Sequence, residues 1–394
     1  MDILIKVQKH LQEKRKKCNF ASNLLKHDTK MKRSFLLSAL FCLLPLFLGA
    51  QDGLLTPGTV WPDQNGLHVN AHGGNVIQVG DTYYWYGESR SREGKFMPGV
   101  SLYTSNDLLH WHDCGIVLAT VADTASPIQQ GCVIERPKVV RCPHTDNYVM
   151  LFHLELKGKG YAAAMMGFAD SPSPEGPFTF RKAMRPTAGK WPMDFTRKDR
   201  KLARSHRPED YKDWWTPAWE KAVKEGMYVA RDLKGGQMSR DQTIYIDDDG
   251  KAYQITSSEE NLTLHINELT NDYMGFTGRY VRVAPGEMNE APTLLKHNGT
   301  YWLITSGCTG WAPNEARMYS SKSIWGPWTR HPSPCRGPKA KTTFDGQGNY
   351  IFRQGQRFIF MADRWQPKHL SESPHIWLPI TFDAEGVPVI EWKE

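Results

Sequence analysis

The sequence predicts an all-β fold, a five-bladed β-propeller with a helical and irregular insertion between blades two and three. Three observations carry this prediction. Five strand-like runs each follow a polar or glycine-bearing turn, a second alternating strand follows most of them, and their spacing is close to one propeller blade. Blades of four short antiparallel strands typically repeat every ~40–50 residues.

The spacing of the five units fits this repeat at every interval except one. Successive unit starts are separated by 66, 103, 49 and 57 residues. The interval of 103 residues is too long for one blade and indicates extra chain between units two and three. The units start at Gly80, Asp146, Asp249, Asn298 and Gly355.

Residues 181–235 account for the long interval. They are charged, lack strand alternation and contain the helix-like stretch "TPAWEKAVKEG". Thr216 is expected to cap this helix, Pro217 to occupy its first turn and Gly226 to end it. Because the segment has too few apolar residues for a core of its own, we expect it to lie on the rim, with its Trp-rich helix packed against a blade.

The first 50 residues are expected to be a leader. From Met31 the chain has a short basic start, an apolar run and a small-residue end, which is the plan of a secretory signal cleaved near Ala50. Residues 1–30 then precede a better initiator, and a signal anchor is the alternative. Cys42 lies inside the apolar run, which argues against a lipoprotein. We therefore expect an exported, periplasmic or extracellular protein.

The mature chain, residues 51–394, is expected to form one propeller domain and to act as a monomer. The net charge of +7 lies wholly in the leader, since residues 1–50 hold ten basic and three acidic residues and 39 of each remain. The mature chain therefore has no excess of positive charge that would indicate nucleic-acid binding. Five cysteines remain in a pattern that fits no zinc site, and Cys308 and Cys335 are a candidate disulfide.

A polar residue opens the first strand of every unit, 11 to 13 residues before an aromatic residue. Because the first strand of each blade lines the central channel of a propeller, these side chains should converge on one cavity. The alternative is that they are ordinary turn residues, or, for Glu135, half of a structural Glu–Arg pair. The five residues are Asn70, Glu135, Asp241, Glu290 and Gln347.

Convergent carboxylates in an aromatic-rich, exported protein point to sugar chemistry. Glycosidic cleavage needs one protonated carboxylic acid, and a like charge nearby raises the pKa of that acid. His72 lies beside these five polar residues, the predicted hub of the propeller, and could reach a substrate or a channel-bound ion. Aromatic rings near the ends of inner strands could stack on sugars, although packing between blades is the alternative. These candidates, with the adjacent Arg364, are Trp85, Tyr86, Trp311 and Trp365.

Several segments together resemble glycoside hydrolase family 43, and more narrowly its exo-β-1,3-galactanase branch. They are "NAHGGNVIQVGDTYYWYGE", "IERPKVV", "RDQTIYIDDDGKAYQITSSEENLTLHI", "NEAPTLL", "YWLITSGCTGWAPN" and "TTFDGQGNYIF". The similarity spans about Trp61 to Trp392. It implies a five-bladed propeller that hydrolyses glycosides with inversion of configuration.

The resemblance also implies roles. Glu290 matches the family's acid, Asp241 the residue that tunes and orients this acid, and Glu135 a carboxylate that contacts the sugar. Where the family has an Asp base in blade one, this chain has "NAHGG". Gln347 matches the blade-five glutamine that is proposed to replace it, as an imidic acid tautomer. We expect no required cofactor, and leave open a calcium ion in the channel.

The implied activity is release of galactose from β-1,3-galactan or an arabinogalactan backbone. Arabinofuranosidase or galactofuranosidase activity is the alternative within the family, because related branches share much of this motif set. A non-catalytic glycan-binding propeller is an alternative of another class, which the missing Asp base keeps open.

Overall fold

The computed structural model describes residues 53–92 and 96–392, which form five antiparallel sheets around a channel. The all-β propeller prediction is confirmed. The predicted leader, residues 1–50, lies outside the described residues. Within the described part of the chain, no helix is long and apolar enough to span a membrane.

Each blade takes its four main strands from one continuous stretch of chain. Blade one contains β1 (His72–Val79), β2 (Thr82–Ser89), β3 (Gly99–Ser105) and β4 (His112–Ala119). Blade two contains β5 (Val133–Arg141), β6 (Tyr148–Glu155), β7 (Met165–Ser171) and β8 (Thr179–Met184). Blade three contains β9 (Gln242–Ile246), β10 (Ala252–Ser258), β11 (Thr263–Leu269) and β12 (Phe276–Val283).

Blades four and five complete the ring. Blade four contains β13 (Asn289–His297), β14 (Thr300–Gly307), β15 (Arg317–Ser321) and β16 (Thr329–His331). Blade five contains β18 (Gln347–Gln354), β19 (Arg357–Asp363), β20 (His375–Phe382) and β21 (Pro388–Glu391), with the short β17 (Cys335–Arg336) added parallel to β21. The first strands of neighbouring blades contact one another and line the channel.

The insertion between blades two and three is helical, but it starts later than the sequence indicated. Residues 181–184 belong to β8, so the segment begins after Met184. β8 is the outer strand of its blade and its faces are partly exposed, so it tolerates charged side chains. It therefore lacks the alternation of apolar and polar residues by which a strand is recognised in a sequence. Three α-helices follow: α1 (Arg197–Ser205), α2 (Pro217–Lys224) and α3 (Met227–Asp232).

Helix α2 begins as the sequence predicted. The Thr216 side chain accepts a hydrogen bond from the backbone N–H of Trp219, and Pro217 occupies the first position. Gly226, with a φ of 91°, separates α2 from α3 in the left-handed region that glycine tolerates. Buried Trp219 packs with Leu262 of blade three, so the insertion is anchored on the propeller.

The hydrophobic core consists mainly of clusters between adjacent blades. Between blades five and one, Trp61, Trp85, Trp111 and Trp377 pack together with ring centroids 4.7–6.0 Å apart. Both faces of an inner strand are covered by neighbouring blades, so even its polar-looking runs are buried. This packing leaves the ends of the first strands as the places where side chains can reach a ligand.

Candidate active site

A cavity of about 340 Å³ lies where the first strands of the blades meet. Four of the five predicted hub residues line it: Glu135, Asp241, Glu290 and Gln347. The prediction that these side chains converge on one cavity is confirmed. The other lining residues are Glu88, Arg90, Arg136, His153, Tyr161, Arg240, Asn261, Gly310, Trp311 and Trp365.

Irregularities in the first strands aim these side chains into the cavity. The strand register shifts between Glu135 and Lys138 in β5 and between Glu290 and Thr293 in β13. Arg136 and Ala291, which directly follow the two glutamates, have positive φ values of 51° and 48°. A bulge re-aims side chains and is common beside active sites. The backbone therefore bends at the point where each carboxylate is presented.

Glu290 has the environment of a general acid. Its Oε1 accepts a hydrogen bond of 2.8 Å from Asn261 Nδ2. Burial, followed by the negative charge of Asp241, raises the pKa of Glu290 to about 7, against the opposing effect of Arg136. A carboxyl group with such a pKa is protonated in a substantial fraction of molecules near neutral pH and can donate its proton.

Asp241 is positioned to act on Glu290 rather than on the substrate alone. Its Oδ2 lies 2.8 Å from Arg136 Nη2 and accepts a hydrogen bond of 3.1 Å from the backbone N–H of Ala291. Ala291 follows Glu290 directly, so Asp241 is tied to the same bulge that aims the acid. This geometry matches the tuning and orienting role that the sequence suggested for Asp241.

The orientation of the Gln347 amide is fixed by its partners. Its Oε1 accepts hydrogen bonds from Arg136 Nη2 at 2.6 Å and from Trp365 Nε1 at 2.9 Å, and both groups can only donate. Its Nε2 donates to Ser306 Oγ at 3.0 Å. Ser306 is the cross-strand partner of Glu290, so Gln347 reaches the strand pair that carries the acid.

Glu135 is held ionised by a network of buried groups. Its Oε1 accepts from Tyr161 Oη at 2.9 Å and lies 3.2 Å from Arg90 Nη2. Burial opposes ionisation, yet His153 and the Arg90 charge together hold the pKa of Glu135 well below its usual range. His153, between Glu135 and Glu155, has its pKa raised to about 9 by these carboxylates despite burial. A fixed carboxylate of this kind can accept hydrogen bonds from sugar hydroxyls.

Comparison with known proteins agrees with this geometry. Residues 202–388 match the family model of glycosyl hydrolases family 43. A solved family 43 β-1,3-galactosidase with galactodeoxynojirimycin is 49% identical, covering 86% of this chain and 99% of that one, with a TM-score of 0.83. The chain belongs to glycoside hydrolase family 43.

Other family 43 proteins are similar over part of their length. An exo-β-1,3-galactanase from Phanerochaete chrysosporium with β-1,3-galactotriose is 31% identical, over 85% of this chain and 66% of that one, with a TM-score of 0.67. One from Clostridium thermocellum is 32% identical, over 86% and 66%, with a TM-score of 0.68. A β-D-galactofuranosidase from Aspergillus niger is 26% identical over 132 residues, 33% of this chain and 38% of that protein.

Of the aromatic residues proposed from the sequence, two line this family 43 cavity. Trp311 is 48% exposed in the loop after β14, and its ring centroid lies 5.7 Å from that of Trp365 at 70°. The two rings thus meet nearly edge to face at the rim. Trp365 also lies near the guanidinium groups of Arg90 and Arg136.

Five residues proposed to bind substrate do not line the cavity. Trp85 and Tyr86 lie in β2, a second strand covered on both faces, and both are buried between blades. Arg364 instead donates to the backbone oxygen of Phe344. Tyr86 packs between blades one and two and Trp85 between blades five and one, and this packing removes both rings from the site.

Asn70 and His72 also point away from the cavity. The Asn70 amide bonds to the backbone N–H and C=O of Arg90, at 3.0 and 2.7 Å, and so supports a residue that does line the site. The His72 ring is fully buried and bonds to the backbone oxygen of Ser373. Asn70 precedes the irregular start of β1, so its register match with the other four does not place its side chain in the cavity.

Sequence reasoning missed the cations of the site. Arg90, Arg136 and Arg240 line the cavity, and Tyr161 and Asn261 come from connections rather than first strands. The signal for Arg136 was present, since it follows Glu135 directly and a Glu–Arg pair was considered. Its actual carboxylate partner is Asp241, from the next blade.

Three histidines form one candidate metal cluster among the described residues: His68, His72 and His375. His68 Nδ1 accepts from the backbone N–H of Trp61, so its Nε2 must donate, to Ser373 O. His72 Nε2 also bonds to that oxygen, and both His375 nitrogens face oxygen acceptors. Only His72 Nδ1 has no hydrogen-bond partner and could offer a lone pair to a metal. The three histidines therefore do not fit a metal ion.

A second candidate cluster, Glu135, His153 and Asp241, lies in the cavity itself. Calcium prefers several free oxygen ligands. Here Glu135 is paired with Arg90 and Asp241 with Arg136. These residues do not fit a calcium ion, and no step of the chemistry is assigned to one.

The proposed disulfide between Cys308 and Cys335 is wrong. All five cysteines in the described chain are free. Cys335 is buried in β17 beside β21, whereas Cys308 lies near Asn261 and the acid Glu290. The two thiols therefore belong to different environments, one in the blade-five core and one at the cavity.

Proposed function

We propose that this chain is an exo-acting, inverting glycosidase that releases galactose from the ends of β-1,3-galactan or an arabinogalactan backbone. The observation that carries the proposal is the pairing of Glu290 with Asp241 in one cavity, which raises the pKa of Glu290 to about 7. The exo-β-1,3-galactanase relatives support the choice of sugar and linkage.

The first half of the reaction is proton donation. Glu290 gives its proton to the glycosidic oxygen as the bond from that oxygen to the sugar C1 breaks. Asp241 lies beside it, paired with Arg136, and its negative charge raises the pKa of Glu290, so that the acid keeps its proton until the leaving group needs it. The aglycone departs as a neutral alcohol.

The second half is attack by water on C1 from the opposite face, with loss of a proton to a base. As an ordinary amide, Gln347 offers little basicity, because Arg136 and Trp365 donate to its oxygen and its nitrogen donates to Ser306. A role as base therefore needs the imidic acid tautomer, in which one Nε2 proton has moved to Oε1 and the nitrogen has a free lone pair. The nitrogen takes a proton from the attacking water, and release of the Oε1 proton to solvent restores the amide. The donors at Oε1 hold the group in one orientation while it acts.

The exo mode is supported by the exo-β-1,3-galactanase relatives. Buried polar side chains fix the first strands that carry the cavity residues. Lys138, two residues beyond Arg136 on β5, is fully buried, and its Nζ donates to Gly73 O at 2.6 Å. Gln242 crosses from blade three to donate to Arg136 O and Leu151 O. These bonds hold β5 against blades one and three, and so fix the strand that presents Glu135 and Arg136.

Two alternatives remain testable with the same protein. The similarity to a galactofuranosidase keeps furanoside substrates under consideration. A panel of β-1,3-galactan, arabinan, xylan and aryl glycosides, with products identified by chromatography, separates them. Galactose released from β-1,3-galactan and from aryl β-galactopyranosides, with no product from arabinan or xylan, is the expected result. Arabinose release, hydrolysis of an aryl galactofuranoside in place of the galactopyranoside, or no turnover with retained binding, would overturn the proposal.

The cellular setting is likewise proposed. The apolar run after Met31 supports export with cleavage near Ala50, and a substrate too large to cross a membrane supports a site of action outside the cytoplasm. We also propose that the protein acts as a monomer. Mass spectrometry of the exported protein and sedimentation analysis test these two points.

A further inference from the structure

Two tryptophans of the insertion expose their rings to solvent. Trp214 is 46% and Trp215 51% exposed, in the turn that leads into α2. The neighbouring Trp219 is 1% exposed and belongs to the core beneath them. Adjacent large apolar rings at a surface indicate a contact with something outside the chain.

The two rings are held in place by contacts with Trp219 and by the backbone conformation of the turn. Trp214 stacks on Trp219 with centroids 5.2 Å apart at 23°, and Trp215 lies 4.9 Å from the same ring. Trp215 has a φ of 69°, a left-handed conformation that is rare for a bulky residue. Thr216 then caps α2. Backbone strain of this kind is retained where the surrounding structure enforces it, often at ligand sites.

A continuous set of contacts links this pair to the catalytic cavity. The Trp214 ring lies 6.4 Å from that of Tyr228, on which the Arg231 guanidinium stacks at 4.5 Å. Arg231 pairs with Glu260 at 2.8 Å, and Glu260 pairs with Arg240 at 3.0 Å. Arg240 lines the cavity. The exposed pair is therefore connected to the pocket by a chain of direct side-chain contacts, which passes through the buried Tyr228.

We propose that Trp214 and Trp215 form an accessory platform for the part of a β-1,3-galactan chain that lies outside the pocket. This inference rests on the proposed function. One face of a galactopyranose ring is a continuous patch of C–H groups, which stacks on indole. The two indoles meet at 66°, with centroids 6.3 Å apart, so they present differently directed faces to a chain whose β-1,3 links turn successive sugars.

A protein partner fits this surface less well. A stable protein interface buries about 800 Å² on each partner, far more than two half-exposed rings provide. The lower half of both rings is already covered by Trp219. A slender polysaccharide chain needs only ring faces, and it is the substrate proposed for the pocket to which these contacts lead.

The test compares wild type with the Trp214→Ala/Trp215→Ala double variant. The kinetics of galactose release are measured on polymeric β-1,3-galactan and on β-1,3-galactobiose, which fits in the pocket and its immediate exit. We expect kcat/KM on the polymer to fall about tenfold, through KM, with little change on galactobiose. Ile116→Ala, an exposed apolar residue on β4, is the matched control and should change neither.

Each outcome has a distinct meaning. Equal kcat/KM for double variant and wild type on the polymer overturns the platform and leaves the proposed function standing. Equal loss on polymer and galactobiose also overturns it, because it indicates damage passed to Arg240. A wild-type dimer that becomes a monomer in the double variant assigns the surface to a second copy instead. If the double variant does not fold, Trp215→Gly provides the same comparison, because it removes the ring and tolerates the φ of 69° at this position. Absence of wild-type activity on both substrates refutes the proposed function.

Discussion

Glu290 would be an ordinary ionised carboxylate at neutral pH without its neighbours. Burial and the charge of Asp241 raise its pKa to about 7, while Arg136 and the hydrogen bond from Asn261 limit that rise. Arg136 also holds the oxygen of Gln347. A single guanidinium thus connects the residue that tunes the acid with the residue assigned to the water.

The charge of Asp241 should be visible in the pH dependence of activity. Glu290 must be protonated to act, so kcat/KM should fall as the pH rises through about 7. Asp241→Asn removes the like charge and should lower the pKa of Glu290. The alkaline limb of the pH profile, where kcat/KM falls, should then move to lower pH by about one unit. Asp249→Asn, in an exposed turn of the same blade, is the control and should leave the limb in place. An unmoved limb in Asp241→Asn would contradict the tuning role.

Gln347→Ala should lose activity with both galactan and aryl galactosides. Water activation is needed whatever the leaving group, and loss of a general base costs on the order of 10²–10⁴ in rate. Gln347→Glu keeps a group that Arg136 and Trp365 can hold, and should recover part of the rate. A fully active Gln347→Ala would show that another group activates the water.

The stereochemical outcome follows from the same two residues. If Glu290 and Gln347 act on opposite faces of the sugar with a water between them, the first product has inverted configuration. Proton NMR of freshly released sugar from β-1,3-galactan should show the α-anomer of galactose before mutarotation. Initial β-galactose would contradict this assignment.

Sequence reasoning located four site residues that repeat, together with Trp311 and Trp365, and missed most of the others. Glu135, Asp241, Glu290 and Gln347 share a register, so the propeller repeat was enough to bring them together. Arg90 follows β2, and Tyr161 and Asn261 lie in connections whose lengths differ between blades. Their positions depend on loop conformation, which carries no repeating signal.

At the scale of the element, the sequence predicted one helix of the insertion and missed another. The start of α2 was predictable because a capping threonine and a first-turn proline are local signals. Helix α1 was not predicted, although Thr196 and Asp199 form a capping box at its start. The end of β8 was missed because an outer strand with charged residues lacks the alternation of a buried strand.

The cap of α2 should stabilise the insertion locally. Thr216→Ala removes the acceptor for the Trp219 N–H and should cost about 1 kcal/mol of helix stability. Thr216→Ser keeps the acceptor and serves as the control. Hydrogen exchange of amides in α2 and α3 should be faster in the alanine variant and unchanged in the serine variant. Equal protection in all three proteins would show that packing on Leu262 alone fixes the helix.

At the scale of the whole molecule, no strand within residues 53–92 and 96–392 is shared between the first and last blades of the ring. Every sheet in the described residues is built from one continuous segment. Closure instead uses the stretch before β1, where Gly58 N–H donates to His375 O and Val69 O faces His375 Nε2. Trp61 packs against Trp85 of blade one and Trp377 of blade five. These contacts join residues about 300 positions apart, which no local pattern could reveal.

This closure predicts a large effect from one residue outside the blades. Trp61→Ala should lower the free energy of unfolding by about 3–5 kcal/mol, because the ring is 1% exposed between the first and last blades. Its neighbour Val60 is 67% exposed, and Val60→Ala should have little effect. Urea denaturation of both variants measures the difference. Equal stability would mean that the blades close through other contacts.

The most direct test of the central claim is galactose release from β-1,3-galactan by Glu290→Gln, compared with wild type on the same substrate. Glutamine keeps the size of the side chain and its contact with Asn261 but cannot give up a proton in the same way. We predict a loss of on the order of 10²–10⁴ in turnover, with binding of the polysaccharide retained. An aryl galactoside with a good leaving group should be affected less. A Glu290→Gln protein that releases galactose from galactan at the wild-type rate would contradict the account.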